Sequence, residues 1–482
     1  MSMFIFIIGF VAWGCWFIDP EIKFIQWLST LVNISNNWCE KPELNDNISC
    51  GEESLFTQHK YSYFQSGKFK KAVNSFTQER KKNRNNPEIL IYLNNAKLMQ
   101  ERRKSYTIAV VIPMKEDDQG TAEALLRGAA QIQEDFNKNT AHPGLKVIIV
   151  DDNNNPDTVR KLAENLLSKD DIVAVFGHYT SELTKKALPV YQQKKVVVIA
   201  PATATRESIL KGQDYRENFL FRITPSVKFE IPELIKQLKL ARLTNGEKVA
   251  VFYTPSSTYS NSAFEELRTQ LGANRIIDKD VSIPDFTAFS TLNEVKQQGA
   301  KALIFIPDGR VNPNSIRNTL SLIDVNQDQL PMGGFSVMYR TEILNRKNIV
   351  KKLLLVIYWH PLTSPNQKVI DRAKQLWGTG HINIQTAMSY DGTLVLTKAL
   401  EKLSTIDSLE KQRLDIQKQL NSLEVKEGAS GIISFDQDGD RKEDTSQPFH
   451  VVLTKCNTYG AIFVPINYDL KTLNCLSNKT GL

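Results

Sequence analysis

Residues 172–208 leave the chain few folding options, because they alternate strand-like and helix-like segments in one short pass. The run Ile172–Phe176 has the length and the β-branched content of a strand buried on both faces, and Gly177 ends it. A helical segment continues through Tyr191, and the apolar run Val196–Ala200 repeats the strand pattern. This order predicts two parallel strands connected by a helix, which is the repeating unit of an α/β fold.

Polar loops follow both predicted strands. The first loop holds His178, Tyr179, Thr180 and Ser181, and the second, after a proline, is Ala202–Thr205. Ligands bind outside the carboxyl ends of the strands in an open parallel sheet, so both loops are expected on the ligand side. The free N–H groups of the helix that starts after the first loop would favour an anionic group there. A role as helix caps alone is the other interpretation of these Ser and Thr side chains.

Length and charge distribution restrict the protein class. A chain of 482 residues is longer than one hydrophobic core normally needs, so two or three domains are expected. The formal net charge of +7 comes from residues 55–106, which hold 12 Lys or Arg and 3 Asp or Glu. The remainder of the chain is slightly acidic and carries no nucleic-acid-binding motif, so the sequence predicts no nucleic-acid partner.

The first 18 residues are nearly all apolar, and no charge precedes Asp19. We interpret residues 1–18 as an uncleaved membrane anchor, with a cleaved signal peptide and lipidation at Cys15 as open alternatives. Apolar residues recur at helical spacing between Ile22 and Val32. Residues 19–54 are therefore interpreted as an interfacial helix followed by a cysteine-containing linker.

Four of the five cysteines fall into two pairs that are close in sequence. Local pairs of this kind suit disulfides in an oxidising compartment, and four free thiols in a reducing one are the alternative. The candidates are Cys39 with Cys50 and Cys456 with Cys475. No cysteine or histidine spacing typical of a metal site occurs, so no metal or cofactor is expected.

Residues 55–106 form a separate segment with apolar positions at helical spacing. Gly67, Phe69, Ala72 and Phe76 resemble part of one tetratricopeptide repeat, in which small residues let paired helices approach closely. A basic helical hairpin serving as a stalk is the equal alternative, because stable arrays of that repeat need about three copies. Either structure would dock a partner protein or the main domain itself.

The β-α-β alternation continues from Ile108 and predicts two α/β lobes. The segment Phe221–Ser226 is expected to leave the first lobe, and Leu353–Tyr358 to return to it. Two lobes connected by more than one crossing form a cleft that closes as a hinge. The predicted domain is 107–470, with lobe one at about 107–224 and 355–445 and lobe two at about 225–354 and 446–470.

Nine segments in order resemble the type I periplasmic solute-binding proteins, and among them the branched-chain amino-acid receptors of ABC transporters. They run from IAVVIP at Ile108 to GIISFDQDGDR at Gly431, and include the GHYTS and IAPATAT loops and SYDG at Ser389. The resemblance implies two Rossmann-like lobes on a hinge, preceded here by the membrane helix and the helical hairpin. It also implies that Asp151 and Asp152 are structural residues.

The resemblance assigns ligand contacts residue by residue. It implies that Ser181 and the second loop hold an α-carboxylate, although Ala204 stands at the usual Thr position. It implies that Tyr259, on a lobe-two loop, stacks over the ligand. The family places an acidic partner for the α-ammonium just after Met332-Gly333, but this chain has Gly334 and Phe335 there. A buried ammonium needs an anionic partner, so Asp308 is the candidate. The expected ligand contacts are Ser181, Tyr179, Ala202, Thr203, Ala204, Thr205, Tyr259, Asp308 and Phe335.

The acidic segment Asp436–Asp440 looks like the beginning of a calcium loop. An EF-hand loop needs Gly at its sixth position and Glu at its twelfth, and these positions hold Arg441 and Gln447. The sequence therefore predicts a hairpin turn at Asp438–Gly439 in place of a cation site.

The sequence favours a binding protein over an enzyme. It carries no phosphate-binding loop, no dinucleotide fingerprint, no zinc-protease motif and no serine-hydrolase motif. The resemblance implies a membrane-anchored receptor in the periplasm or at the cell exterior, which binds a small polar ligand such as an amino acid for an ABC permease. The alternative is a membrane-tethered ligand sensor or scaffold that recruits a protein partner through residues 55–106.

Overall fold

The computed structural model describes residues 47–114, 119–168, 171–201, 204, 206–210, 218–308, 311–378, 382–403, 408–454 and 459–472. They belong to one compact unit, Asn47–Leu482. Within these ranges no helix is both long and apolar enough to cross a bilayer. The predicted anchor, residues 1–18, and the predicted interfacial helix lie outside the described residues.

A six-stranded sheet forms the centre of lobe one. Its strands are β1 (Ile48–Ser49), β2 (Ser105–Ile112), β3 (Gly144–Asp151), β4 (Ile172–Phe176), β5 (Val197–Ala200) and β6 (Leu220–Arg222). The spatial order is β1-β3-β2-β4-β5-β6; β2 to β6 are parallel, and β1 pairs antiparallel with β3. All of β4 and β5 is buried, which explains their continuous apolar sequences.

A seven-stranded sheet forms the centre of lobe two. Its strands are β7 (Lys248–Tyr253), β8 (Ile276–Asp280), β9 (Ala300–Ile306), β10 (Met332–Phe335), β11 (Leu353–Ile357), β14 (Gln447–Leu453) and β15 (Ala461–Pro465). The order is β15-β14-β11-β10-β9-β7-β8, and only β14 and β15 run antiparallel to their neighbours. A hairpin of β12 (Glu424–Gly428) and β13 (Gly431–Ser434) lies apart from both sheets.

Helices cover both sheets. Those of lobe one are α1 (Ser62–Gln65), α2 (Phe69–Lys82), α3 (Pro87–Gln100), α4 (Gln119–Asn137), α5 (Val159–Leu166), α6 (Ser181–Gln193), α7 (Arg206–Leu210), α13 (Gln367–Trp377), α14 (Ile384–Leu400) and α15 (Leu409–Ser422). Those of lobe two are α8 (Val227–Gln237), α9 (Thr258–Leu271), α10 (Ala288–Gln297), α11 (Pro313–Asn326) and α12 (Thr341–Leu344). Short 3₁₀ turns are Leu240–Arg242, Ala273–Arg275, Ser336–Met338, Pro361–Thr363 and Leu470–Thr472.

The chain passes between the lobes after β6, after β11 and before β14. The second passage begins later than the sequence suggested, because β11 pairs with β10 through Val356 and so belongs to the second sheet. The passages are bonded to each other: the Thr445 hydroxyl donates to the Tyr358 carbonyl at 2.7 Å, and Arg441 Nη1 donates to the Ile223 carbonyl at 3.2 Å. These bonds bring the crossing segments together into one hinge.

The helical pair α2 and α3 is packed into lobe one. Eleven of the fourteen residues of α3 are buried. The Asn95 side chain bonds to both backbone groups of Val147 in β3, donating at 2.8 Å and accepting at 3.2 Å. Asn95 is therefore an internal contact, and this helix docks on the main domain itself, one of the two roles expected for residues 55–106.

Strand β1 extends the lobe-one sheet beyond what the sequence suggested. Ile48 and Ser49 pair with Val150 and Ile149, and Cys50 behind them is buried. The other three cysteines of the expected disulfides lie outside the described residues: Cys39, Cys456 and Cys475. Both pairings remain predictions.

Gly128 allows α4 and α14 to cross at very short range. A Cβ atom at this position would lie 2.4 Å from the Thr386 carbonyl oxygen and 2.4 Å from the Tyr390 nitrogen. Backbone atoms cannot rotate away, so we expect Gly128→Ala to lower the free energy of unfolding by about 1–3 kcal/mol. Urea unfolding of the full chain measures this difference.

Gly120 provides the matched control in the same helix. A Cβ there meets no atom within 4 Å. Because Ala is the better helix former, Gly120→Ala is expected to leave stability unchanged or raise it by up to about 1 kcal/mol. Equal stability of the two variants would contradict the close helix crossing.

Candidate functional site

The loops after β4 and β5 lie side by side, because the two strands are adjacent and parallel. Gly177 ends β4 with a φ of +128°, and α6 begins at Ser181. The Thr180 side chain caps this helix by accepting from the Leu183 N–H at 3.3 Å. The first polar loop therefore points the amino end of α6 toward the carboxyl edge of the sheet.

Ser181 and Ala204 meet at this edge. The Ala204 N–H donates to the Ser181 hydroxyl oxygen at 3.4 Å, and both residues are buried. The remaining predicted contacts of the second loop, Ala202, Thr203 and Thr205, lie outside the described residues. A hydroxyl, a backbone N–H and a helix amino terminus close together can hold a carboxylate.

A buried hydrogen-bonded chain supports the first loop from behind. Asp152 Oδ2 lies 2.8 Å from His178 Nδ1, and His178 Nε2 lies 3.0 Å from the Tyr191 hydroxyl. All three side chains are almost completely buried. The neighbouring Asp151 carboxylate accepts N–H groups of Met114 and Asn153, and burial raises its pKa to about 6. Both aspartates thus brace the backbone.

The second loop is held by Arg222. Its guanidinium donates to the Ala204 carbonyl and forms a two-point pair with Asp440, with Nε 2.6 Å from Oδ1. Asp440 lies just after the predicted turn, in which the Asp436 carboxylate accepts the N–H groups of Asp438 and Asp440 and Gly439 has a φ of +77°. The acidic segment therefore bonds its own backbone, and its last carboxylate supports the second loop through Arg222.

Tyr259 lies in the first turn of α9 and not in a loop as expected. The Ser257 side chain caps α9 by accepting from the Ser260 N–H at 3.3 Å, which starts the helix before Tyr259. The Tyr259 ring is buried, and its hydroxyl has no hydrogen-bond partner among the described residues. Tyr179, from lobe one, is only partly buried and accepts from Gln385 Nε2 at 3.2 Å.

Asp308 and Phe335 are both buried at the carboxyl edge of the lobe-two sheet. Asp308 Oδ2 accepts from the Asn312 N–H at 3.0 Å, and its own N–H donates to Ser315 Oγ at 3.0 Å. One carboxylate oxygen of Asp308 therefore stabilises the loop in front of α11. Phe335 ends β10 and is completely covered.

Glu230 is a candidate site residue that the sequence reasoning missed. It lies in the first turn of α8 and is completely buried, and neither carboxylate oxygen has a hydrogen-bond partner among the described residues. Burial raises the pKa of Glu230 well above its usual range, and Asp444 raises it further. The available signal was spacing: Glu230 shares a helix face with the apolar residues Val227, Ile231 and Leu234.

The charge of Glu230 acts on two tyrosines, Tyr259 and Tyr358. Burial and then the charge of Glu230 raise the pKa of Tyr259. Burial, Tyr179 and Glu230 raise the pKa of Tyr358, whose hydroxyl bonds to the Ser336 side chain. Tyr179, from lobe one, also raises the pKa of Tyr259.

The lobes also touch at the rim of the cleft, where the Thr258 hydroxyl in α9 donates to the Glu182 carboxylate in α6. This bond connects the amino ends of α6 and α9, the helices that carry Ser181 and Tyr259. A cavity of about 210 Å³ lies at the hinge, lined among others by Tyr358, Thr363 and Asp444.

A family profile described as "Periplasmic binding protein" matches residues 105–454, most of the chain. The chain belongs to the periplasmic binding protein family. An amino acid binding protein of Pseudomonas aeruginosa is 26% identical over 192 residues, which are 38% of this chain and 48% of that protein. The chain thus spans about half the length of this curated relative.

Solved structures of the same fold have carried different ligands. A leucine-binding protein of Thermotoga maritima is 18% identical, with a TM-score of 0.59 over 74% of this chain and 97% of that one. A branched-chain amino acid transporter substrate-binding protein of Streptococcus pneumoniae, in complex with isoleucine, is 17% identical. Its TM-score is 0.58, over 75% of this chain and 100% of that one. A solute-binding protein of R. palustris, in complex with 4-hydroxybenzoate, is 17% identical. Its TM-score is 0.60, over 75% of this chain and 96% of that one.

Proposed function

We propose that this chain is an extracytoplasmic receptor that captures a small polar solute between its lobes for an ABC permease. An amino acid is the leading candidate for this solute. The observation that carries the proposal is the meeting of the Ser181 hydroxyl and the Ala204 N–H at the amino end of α6. These groups suit the carboxylate of a small ligand. Membership in the periplasmic binding protein family supports the same function.

The order of events follows from the two lobes. The carboxylate binds lobe one first, because Ser181 and Ala204 both belong to it. Closure of the cleft then brings Tyr259, at the amino end of α9 in lobe two, over the ligand. The Thr258 to Glu182 bond forms when the lobes approach, and it stabilises the closed form that a permease would recognise.

The alternative, a tethered sensor or scaffold that captures a protein through residues 55–106, has less support. The buried residues of α3 face lobe one and are not available to a partner. No contact in the described part of the chain favours this alternative over solute binding.

A thermal-shift screen of the full chain in detergent tests the proposed function. The panel holds the twenty amino acids, small peptides, polyamines, urea, amides, benzoate and 4-hydroxybenzoate. A ligand at one hundred times its Kd should stabilise the folded chain by about 2.7 kcal/mol, which raises the melting temperature measurably. Folded protein with no response to any compound would contradict the proposal.

A further inference from the structure

Helix α2 has an outer face made of basic and uncharged polar residues. All members of this face are exposed, and their spacing puts them on one side of the helix. The basic face consists of Lys70, Lys71, Asn74, Gln78, Lys81 and Lys82. Glu79, the one acidic residue of α2, lies beside the face and is less exposed. The face itself therefore carries lysine charges and no negative charge.

The opposite side of α2 fixes the helix to lobe one. Ala72 and Phe76 are buried there, and the Phe76 ring lies 5.9 Å from the Tyr92 ring of α3, measured between centroids. The Arg80 guanidinium lies 4.7 Å from the centroid of the Trp377 ring at the end of α13. The lysines of the basic face are thus presented to solvent by a helix that moves with lobe one.

The protein leaves most of this charge without a counter-charge. Within the described residues, Lys70, Lys71 and Lys81 form no ion pair, and Lys82 reaches only Glu79, at 3.6 Å. Both members of that pair are well exposed, so water screens their attraction. On α15, another surface helix, two lysines instead pair with the aspartate that lies between them. The charge of the basic face is therefore available to an anionic partner.

The amino end of α2 carries cations where helices favour anions. Lys70 and Lys71 stand in the first turn, which holds no acidic residue, and Lys68 precedes that turn without a side-chain capping bond. Because the partial charge at this end of a helix is positive, lysines here lower the stability of the helix. Sequences break local rules of this kind mainly at functional positions. The placement of these lysines therefore indicates a role outside the fold itself.

Tyr63 adds an aromatic ring at the edge of the basic face. It is 44% exposed, and Lys71 Nζ lies 5.7 Å from the centroid of its ring. Tyrosine and lysine side chains both combine an apolar body with a polar end. This combination suits the interface between a bilayer and water, where both ends find their preferred surroundings.

The length of the basic face indicates an extended partner. Lys70 and Lys82 are separated by about 18 Å along the helix axis. One small anion cannot contact lysines at both ends, whereas the head groups of a lipid surface can. The predicted anchor, residues 1–18, would bring a bilayer within reach of this segment.

We propose that the basic face of α2, with Tyr63 beside it, binds a bilayer that contains anionic phospholipids. The inference goes beyond solute binding and does not depend on which ligand the cleft takes. Because α2 is packed into lobe one, this contact would hold lobe one at the membrane and leave lobe two free to move when the cleft closes. The solute would be captured beside the membrane that holds the proposed permease.

Acylation of individual lysines in the full chain, read by mass spectrometry, tests the inference. The chain is studied with nanodiscs of phosphatidylcholine alone or of phosphatidylcholine mixed with phosphatidylglycerol, which is anionic. We expect the lysines of the basic face to react at least about threefold more slowly with the anionic discs than with the neutral ones. Lys351, an exposed lysine of lobe two, should react at the same rate with both. High salt should abolish the difference, because ions screen the surface charge.

Two double variants locate the effect on the surface. Lys81→Gln with Lys82→Gln removes half of the lysines of the basic face, and it should reduce the protection of Lys70 by at least about half. Lys351→Gln with Lys352→Gln removes the same charge from exposed positions of lobe two, and it should leave that protection unchanged.

Equal reaction rates with the neutral and the anionic discs would overturn the inference. Protection by glycerol phosphate in solution, as strong as that by the anionic discs, would also overturn it, since a soluble anion and not a bilayer would then occupy the face. Neither result bears on the proposed function, because solute binding is read separately in the thermal-shift screen.

Discussion

Replacing Asp440 by Ala is expected to lower the free energy of unfolding by about 3 kcal/mol. Arg222 is only 1% exposed, and its two-point pair with Asp440 is the counter-charge of a buried guanidinium. The variant would leave this cation uncompensated in the protein interior. The value is at the lower end for broken buried ion pairs, since the Asp440 side chain is itself 23% exposed.

Chemical unfolding of the full chain measures this loss, with Asp438→Ala as the control. Asp438 lies in the same turn but is exposed, so its removal should change stability by less than about 0.5 kcal/mol. Under the proposed function, Asp440→Ala should also weaken ligand binding, because Arg222 donates to the carbonyl of Ala204 in the second loop. A variant as stable as the wild type would contradict the structural role of the Arg222 to Asp440 pair.

Replacing Ser181 by Ala is expected to weaken ligand binding by about tenfold or more. The hydroxyl is buried and accepts from the Ala204 N–H, so its loss removes that contact with the second loop. Under the proposed function, it also removes one hydrogen bond to the ligand carboxylate. A hydrogen bond to a charged group contributes roughly 1.5–3 kcal/mol, which corresponds to the expected loss. Titration calorimetry with the ligand found in the screen measures it.

Ser168→Ala is the control for Ser181→Ala. Ser168 is exposed in the same lobe, and its hydroxyl bonds only to the Asn165 carbonyl at 2.7 Å. Affinity of Ser168→Ala should equal that of the wild type. Unchanged affinity of Ser181→Ala would contradict the assignment of Ser181 to a carboxylate-binding site, whichever ligand is used.

Segments whose burial follows from local sequence were predictable. The strand Ile172–Phe176 was predicted with the bounds that the structure has, and the predicted run Val196–Ala200 differs by one residue from the observed strand Val197–Ala200. A strand buried on both faces has a continuous apolar sequence, and this signal needs no knowledge of the rest of the chain. The placement of the two loops at one edge of the sheet followed from parallel strand order, whereas Ser181 and Ala204 were singled out by the family resemblance.

Features that depend on contacts distant in sequence were not predictable. Strand β1 is two residues long and exists because it pairs with β3, about one hundred residues away. The docking of α3 depends on Asn95 meeting Val147, which no local pattern indicates. Glu230 shares a helix face with apolar residues, but its complete burial is set by the tertiary structure and not by this local pattern.

A crystal structure of the full chain with the amino acid that stabilises it most would test the central claim directly. We predict the ligand carboxylate within about 2.7–3.2 Å of the Ser181 hydroxyl and the Ala204 nitrogen. We predict that both lobes contact this one ligand. A ligand bound elsewhere, for example in the hinge cavity beside Thr363, would contradict the account.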